Sequence, residues 1–213
     1  MAQIGSLLAS TNQTFNLDFL PSVMVIENVS TDLPVTNLSV VTGGVQLMSV
    51  TSAARLQALA KFQNGGLLGT TVAVSQSLAL ALGRVNKQTT INATNGEPTT
   101  PAVYVASGNK STIARQATET SINASANGSF SNFEALFFLP VNVIRAQINF
   151  SNGFSDEFTT DELVALYARE AVTDTDGLLS GHVCIPGAQI DRVTLFNGSG
   201  GSTVVLMSSY TEL

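Results

Sequence analysis

The sequence predicts an all-β chain with two short helices, built as a tandem of two β-sandwich units. Three observations predict it. Apolar residues recur mostly with a period of two, in short runs separated by turn residues at roughly 8–12-residue spacing, the rhythm of sandwiches and barrels. Only two stretches carry helical spacing, around Leu56 and around Leu163. The second half also repeats the first in outline, at an offset close to half of the 213 residues.

The repeat is carried by a shared order of short matches. Phe19-Leu20-Pro21 follows an apolar stretch (Phe15, Leu17), and Phe138-Leu139-Pro140 follows another (Phe133, Leu136). Each is succeeded by a hairpin-like segment, turning at Gly43-Gly44 or at Asn152-Gly153. Leu56-Gln57-Ala58-Leu59 then matches Leu163-Val164-Ala165-Leu166, and Gly66-Leu67-Leu68 matches Gly177-Leu178-Leu179. Val72-Ala73-Val74 matches Val183-Cys184-Ile185, and Arg84-Val85 matches Arg192-Val193. A period this long signals a duplicated domain and not a solenoid of short repeats. The expected division is an N-terminal arm over 1–10, a first unit over 11–107, a linker over 108–118 and a second unit over 119–213.

The elements follow in order. Residues 1–10 read as a short apolar-faced helix or an extended arm (Ile4, Leu7, Leu8). Phe15, Leu17 and Phe19 alternate with Asn16 and Asp18 as a half-buried strand does. Val23–Glu27 is a short apolar run, and Leu38–Val41 and Val45–Met48 flank Gly43-Gly44 as a hairpin. Thr51 or Ser52 caps a helix running to about Gln63, with Leu56, Leu59 and Phe62 or Gln63 as its apolar stripe and Gly65 or Gly66 ending it. Val72 to Leu82 keeps one parity, as a long strand or two with a bend, and Gln88–Asn92 and Ala102–Ala106 are further strands with Asn95-Gly96-Glu97-Pro98 as the loop between them. The polar stretch 107–118 marks the boundary.

In the second half, Thr120–Ala124 and Phe133–Leu139 open the unit. Ile144, Ala146, Ile148 and Phe150 are expected on one face of a strand, with Arg145, Gln147 and Asn149 on the other. Asn152-Gly153 turns the chain into Phe154–Phe158. Thr159-x-x-Glu162 is a capping box, with Leu163, Leu166 and Tyr167 as the buried face of the helix it starts. Asp174–Gly181 reads as a loop. Strands are expected at His182–Ile185, Ile190–Phe196 and Thr203–Ser209, with Gly198–Ser202 as the last hairpin turn.

Composition narrows the function classes. Hydrophobic residues make up 44% and charged residues 11%, against a usual charged share of about 25%. So little charge suits a surface covered by neighbouring copies, and equally a stable β-protein with a neutral surface. Net charge is −6 with no Lys/Arg cluster, so direct nucleic-acid binding, which needs several phosphate-neutralising cations, is not expected. Cys184 is the single cysteine, so no intrachain disulfide forms and a reducing compartment is favoured. The opening residues lack the positive region and long apolar core of a signal peptide. No apolar run reaches the ~18 residues that span a bilayer. A soluble or assembled protein is expected.

The chemistry-bearing residues are few. His182 and Cys184 stand two apart on an expected strand, so a Cys/His nucleophilic pair is geometrically open. The matching first-half positions, about Thr71 and Ala73, carry no reactive groups, which favours a strand pair. One His and one Cys do not make a metal site. Asp174-x-Asp176-Gly177 resembles the start of a calcium loop but lacks the third acid and the distal Glu. Asp156, Glu157, Asp161, Glu162 and Glu170 form the most acidic stretch. The early ones suit a helix N-terminus, and a Ca²⁺ at a subunit contact is the alternative. Gly198-Ser199-Gly200-Gly201-Ser202 has no following Lys-Ser/Thr and reads as a turn, not a phosphate loop. No catalytic residue, cofactor or metal is expected.

A tandem of two β-units with one short helix in each, low charge and no active site resembles the double jelly-roll major capsid proteins of tailless, membrane-containing bacterial viruses. The resemblance covers most of residues 11–210 at the level of architecture. It implies trimeric capsomers with a pseudo-sixfold outline that tile an icosahedral shell. It also implies a place in the virion after assembly in the host cytoplasm. The implied partners are further copies of the chain, other virion proteins and an internal membrane. A membrane layer or a basic protein would separate the acidic chain from the genome. Ile4, Leu7 and Leu8 are the candidate assembly arm. At 213 residues, two rolls of eight strands would need short or missing strands, or the units are simpler sandwiches. Other readings stay open: a phage tail-tube or ring-forming protein, a carbohydrate- or surface-binding β-module, and a Cys184-dependent hydrolase.

Overall fold

A computed structural model describes residues 2–6, 12–17, 21–26, 35–63, 78–81, 89–95, 102–107, 113–167 and 183–212. The chain forms two units, Met1–Thr118 with Tyr210–Leu213, and Glu119–Ser209. Strands β1 (Ala2–Ser6), β2 (Asn12–Leu17), β3 (Pro21–Ile26), β4 (Val35–Thr42) and β5 (Val45–Val50) precede α1 (Ala53–Gln63). Strands β6 (Leu78–Ala81), β7 (Thr89–Asn95) and β8 (Ala102–Ser107) follow it. Then come β9 (Ile113–Ile122), β10 (Asn127–Ser131), β11 (Ala135–Phe138), a 3-10 turn (Pro140–Asn142), β12 (Val143–Phe150) and β13 (Ser155–Thr159). After α2 (Thr160–Tyr167) the chain closes with β14 (Val183–Pro186), β15 (Ile190–Asn197) and β16 (Thr203–Glu212).

The two units have one topology. In the first, the strand orders are β1-β8-β3-β6 and β2-β7-β4-β5, the latter being half of an eight-stranded order that continues from β5 to β9. In the second they run β9-β16-β11-β14 and β10-β15-β12-β13. Adding eight to every strand number of the first unit gives the second. The helix follows the fifth strand each time. This is the jelly-roll order, in which the chain passes back and forth between two four-stranded sheets. Of the expected alternatives, short strands are what the chain uses: all sixteen strands are present among the described residues, several only four or five residues long.

Local chemistry accounts for the elements. Gly43 and Gly44 have φ of +52° and +82°, the doubly left-handed turn whose twist matches a tight hairpin. It joins β4 to β5 in register, Thr42 opposite Val45. Ser52 lies at the start of α1, where the Arg55 N–H approaches Ser52 Oγ at 3.5 Å. Leu56 and Leu59 are buried. In β2 and β7, Phe15 pairs with Ile91, and the Phe15 ring lies against Gly5 of β1 in the facing sheet. That contact, with Ala2–Ser6 paired on β8, makes these first residues part of the sandwich.

The core of the second unit lies between its two sheets. Leu136 and Phe138 (β11), Val183 and Ile185 (β14) and Val205 (β16) meet Ala146 and Ile148 (β12), Val193 and Leu195 (β15), with Leu163 of α2 at the margin. Complete burial of each large aliphatic side chain contributes about 1.5–3 kcal/mol. The strand β11 is buried on both faces and correspondingly reads as the unbroken apolar run Ala135-Leu136-Phe137-Phe138.

The capping box forms as its sequence predicts. The Thr159 N–H and hydroxyl donate to Glu162 Oε2 at 2.7 and 2.8 Å, and the Glu162 N–H returns to Thr159 Oγ1 at 3.4 Å. Those bonds hold the Glu162 carboxyl below its ordinary pKa of 4.5. A depressed carboxyl stabilises the fold above the ordinary glutamate range, and that contribution is lost as pH falls through 4.5 toward the folded value. Urea denaturation at a series of pH values should therefore show wild type converging on Glu162→Ala as the solution is acidified. A stability difference that stays constant across that range would refute the cap's ionic part.

Several expectations are corrected. Residues 113–118 are not linker but the first half of β9, which pairs in parallel with β5 at Met48↔Ala117 and Ser49↔Thr118. Ala117 is buried between half-buried Gln116 and Thr118, a polar pattern that reads as a connection. Strand β10 was hidden in the same way by its polar composition, Asn127-Gly128-Ser129-Phe130-Ser131. The segment Gly198–Ser202 is no hairpin, because β15 and β16 belong to different sheets. Leu166 is exposed, since α2 packs on β12, β13 and β14 chiefly through Leu163 and the half-buried Tyr167. The expected strand 72–77, the glycine stop at 65–66, the loops at 96–98 and 174–181, and residue 19 lie outside the described residues.

Candidate assembly surface

The structure places the residues singled out from sequence as follows. Ile4 sits within β1; Leu7 and Leu8 lie outside the described residues, as do His182, Glu170, Asp174 and Asp176. Cys184 is buried, in register with Phe137, which is itself opposite Leu206. Its thiol stands in a row of buried apolar side chains. The acids are spread out: Glu157 pairs with Arg145 at 2.7 Å, Asp156 Oδ1 accepts the Glu157 N–H at 2.9 Å, and Glu162 caps α2 beside Asp161 in the first turn. No three His, Cys, Asp or Glu side chains among the described residues come together.

Exposed apolar side chains define a different feature. After buried Phe138, Leu139 is extended (φ −85°, ψ 125°) and Pro140, buried, starts the 3-10 turn, closed by the Val143 N–H on Pro140 O. Proline's fixed φ favours that turn. Leu139 is 40% exposed, Val141 82% and Ile144 57%. Ile144 was expected inside. A bulge sets it outside: the pairing of β12 with β15 shifts between Val143 (opposite Asn197) and Arg145 (opposite Phe196). The extra residue lets Val143 and Ala146 both face the core and turns Ile144 out.

The glycine-rich corner braces this knuckle. Asn142 O accepts the Gly198 N–H at 2.9 Å, and Asn142 Nδ2 donates to Ser202 O at 2.9 Å. A Cβ on Gly198 would stand 3.0 Å from Ile144 Cγ2, and one on Gly201 would stand 3.0 Å from Asn142 Nδ2. Small residues thus let the corner close on the turn. Buried Asn197 anchors it further: Nδ2 donates to Ile122 O at 2.9 Å, and Oδ1 accepts from Thr203 Oγ1 at 2.9 Å.

The far end of β12 carries a second exposed apolar group. The turn after Phe150 closes with Phe150 N–H on Phe154 O at 2.8 Å and Phe154 N–H on Asn152 Oδ1 at 3.1 Å. Ser151 fixes it to the neighbouring β14–β15 connection, its N–H on Gln189 O at 3.0 Å and its hydroxyl on Asp191 Oδ1 at 2.8 Å. Phe154, at this braced tip, is 72% exposed.

Between the two ends, the outward face of the β10-β15-β12-β13 sheet is mostly uncharged and polar. Its middle row is Ser129–Thr194–Gln147–Glu157, and its last row Ser131–Arg192–Asn149–Ser155. Arg145 lies over the Phe196 ring at 3.6 Å, its charge met by Glu157. The corresponding face of the first unit is an Asn/Thr/Ser lattice, in which Thr14 Oγ1 donates to Asn92 Oδ1 at 2.6 Å and Thr90 Oγ1 to Asn16 Oδ1 at 3.0 Å. Such faces offer donors and acceptors with few charges to desolvate.

Two jelly rolls in tandem define a double jelly-roll protein. Among solved structures the chain is similar to the major capsid protein P2 from bacteriophage PM2 (TM-score 0.61, 11% identity) and to the STIV major capsid protein (TM-score 0.60, 13% identity). Each likeness covers 100% of this chain and 95% of the other. At these identities the likeness is one of fold. No family model and no curated protein sequence matches the chain.

Proposed function

We propose that this chain is a self-assembling shell protein, a major capsid protein of an icosahedral virus, working as a building block and not as a catalyst. One observation carries the reading: a double jelly roll that corresponds end to end, with 100% of this chain and 95% of the other, to two major capsid proteins. The few charges (11%) and the mostly uncharged outward sheet faces support it, because copies can associate with little charge desolvation. Two rolls per chain give three copies a pseudo-sixfold outline, so trimeric capsomers are the expected unit. The chain would then reside in the virion, assembled in the host cytoplasm with other virion proteins. With net charge −6, a membrane or a basic protein would stand between it and the genome.

Size-exclusion chromatography with light scattering tests this directly. The purified chain should run at about three times its 22.2 kDa, and electron microscopy under assembly conditions should show closed shells. A 22.2 kDa monomer at high concentration, or open tubes in place of shells, would overturn the proposal.

A further inference from the structure

We propose that the Asp156 and Glu162 carboxylates close the free edge of β13 to further strands, so that one roll of the chain takes on an added strand and the other refuses it. Strand β13 ends the β10-β15-β12-β13 order, and its residues are exposed except for half-buried Phe158. A sheet edge ordinarily presents a row of unpaired N–H and C=O groups, a template for the next strand. Which groups face outward here follows from the ladder. The Phe150 N–H donates to Phe154 O at 2.8 Å, and the register runs on from Asn149 opposite Ser155 to Arg145 opposite Thr159. Hydrogen-bonded and non-bonded pairs alternate along an antiparallel ladder. The backbone groups of Asp156 and Phe158 therefore bond to β12, and those of Ser155, Glu157 and Thr159 turn to the free edge.

Two of those outward donors are already taken. Asp156 Oδ1 accepts the Glu157 N–H at 2.9 Å, and Glu162 Oε2 accepts the Thr159 N–H at 2.7 Å. An arriving strand would have to displace a carboxylate at each, and hydrogen bonds to an ionised acceptor are the stronger kind. Glu162 has its helix cap to explain it, but Asp156 has no such role. It stands opposite Ile148, which is completely buried, so it occupies the core-facing side of the sheet, as does Phe158 two residues on. An apolar residue would suit that side. A charge there, on the last strand of a sheet, works against edge-to-edge pairing. The Glu157 side chain is on the opposite face, paired with Arg145.

The first unit supplies the contrast. By the shared topology β5 is the counterpart of β13, and its residues, Val45-Gln46-Leu47-Met48-Ser49-Val50, include no acid. That edge is open, and it accepts β9 in parallel at Met48↔Ala117 and Ser49↔Thr118. The same place in the roll thus takes a strand in one unit and carries two carboxylate-capped donors in the other. The strand most available to an open β13 would be the β13 of another copy, present at the concentration of the protein itself. Closing the edge keeps the second units of two copies from merging into one sheet, a contact that a ring of alternating first and second units does not use. The inference goes beyond the shell reading and does not depend on the size of the assembly.

The test is Asp156→Val in the full chain, alone and with Glu162→Ala, each confirmed as folded by its urea midpoint. Valine suits a strand but accepts no hydrogen bond from the Glu157 N–H. Asp156→Ala repeats the design if valine disturbs the core. In conditions where wild type keeps one mass by light scattering, whether monomer or trimer, the double variant should show a mass that rises with concentration, its association at least about 10-fold stronger than that of wild type. Adding Glu157→Pro should return the wild-type mass, because proline removes an outward N–H and leaves the bonds to β12 in place. Plain stickiness of the new valine would survive that proline. A wild-type mass for the folded double variant, or association that persists with the proline, would overturn the closed edge. Neither result bears on the shell reading, which fails on wild type alone, as a monomer at high concentration.

Discussion

Replacing Gly187 with alanine should destabilise the protein by at least about 3 kcal/mol, at the upper end of what single substitutions do. The added Cβ would stand 1.9 Å from Phe133 O and 2.9 Å from Phe133 C. Both are backbone atoms, so no change of rotamer relieves the overlap. Nor can the two segments simply separate. The Gly187 N–H donates to Glu134 O at 2.8 Å, and Gly187 O accepts the Ile190 N–H at 3.1 Å. On the other side the Glu134 N–H donates to Ser208 O at 2.6 Å, and Ser208 Oγ donates to Glu134 Oε2 at 3.0 Å. The close approach occurs where the turn after β14 passes the entry to β11, so moving either segment breaks bonds on both. A urea midpoint of Gly187→Ala within error of wild type would refute the close approach.

How much of this was legible in the sequence depends on the range of the interaction. The Gly43-Gly44 hairpin and the Thr159–Glu162 cap are settled by residues within four positions of each other, and both formed as their chemistry predicts. Strand parity is also local, and it placed Ala146 and Ile148 correctly inside. It failed at Ile144 because the β12 bulge depends on the pairing with Asn197 and Phe196, some fifty positions away. The same limit applies to Gly198–Ser202. Its glycines identify a tight turn, but whether the turn joins paired strands or crosses between sheets is decided by partners far along the chain.

The 113–118 stretch is the converse case, a polar segment that becomes a strand through its parallel partner β5. The candidate assembly surface was correspondingly half visible. Phe138-Leu139-Pro140 stood out as a repeated tripeptide, and Asn152-Gly153 as a turn. Nothing local revealed that Val141, Ile144 and Phe154 would be left in solvent.

The tripeptide also furnishes the second large effect. Phe138→Ala should cost about 3–5 kcal/mol, the range for deleting a fully enclosed aromatic. Phe138 is completely buried in the second unit's core, in register with Val183 on one neighbour strand and Val205 on the other. Its side chain leaves a cavity that two flanking strands, each fixed by its own ladder, cannot collapse to fill. Leu139→Ser, one residue on, should cost under about 1 kcal/mol, because that side chain lies 40% exposed on the knuckle.

Leu139→Ser should leave the urea midpoint near that of wild type. Phe138→Ala should lose stability, and whatever fraction remains folded should associate normally. Equal losses of stability from both would mean that Leu139 belongs to the core.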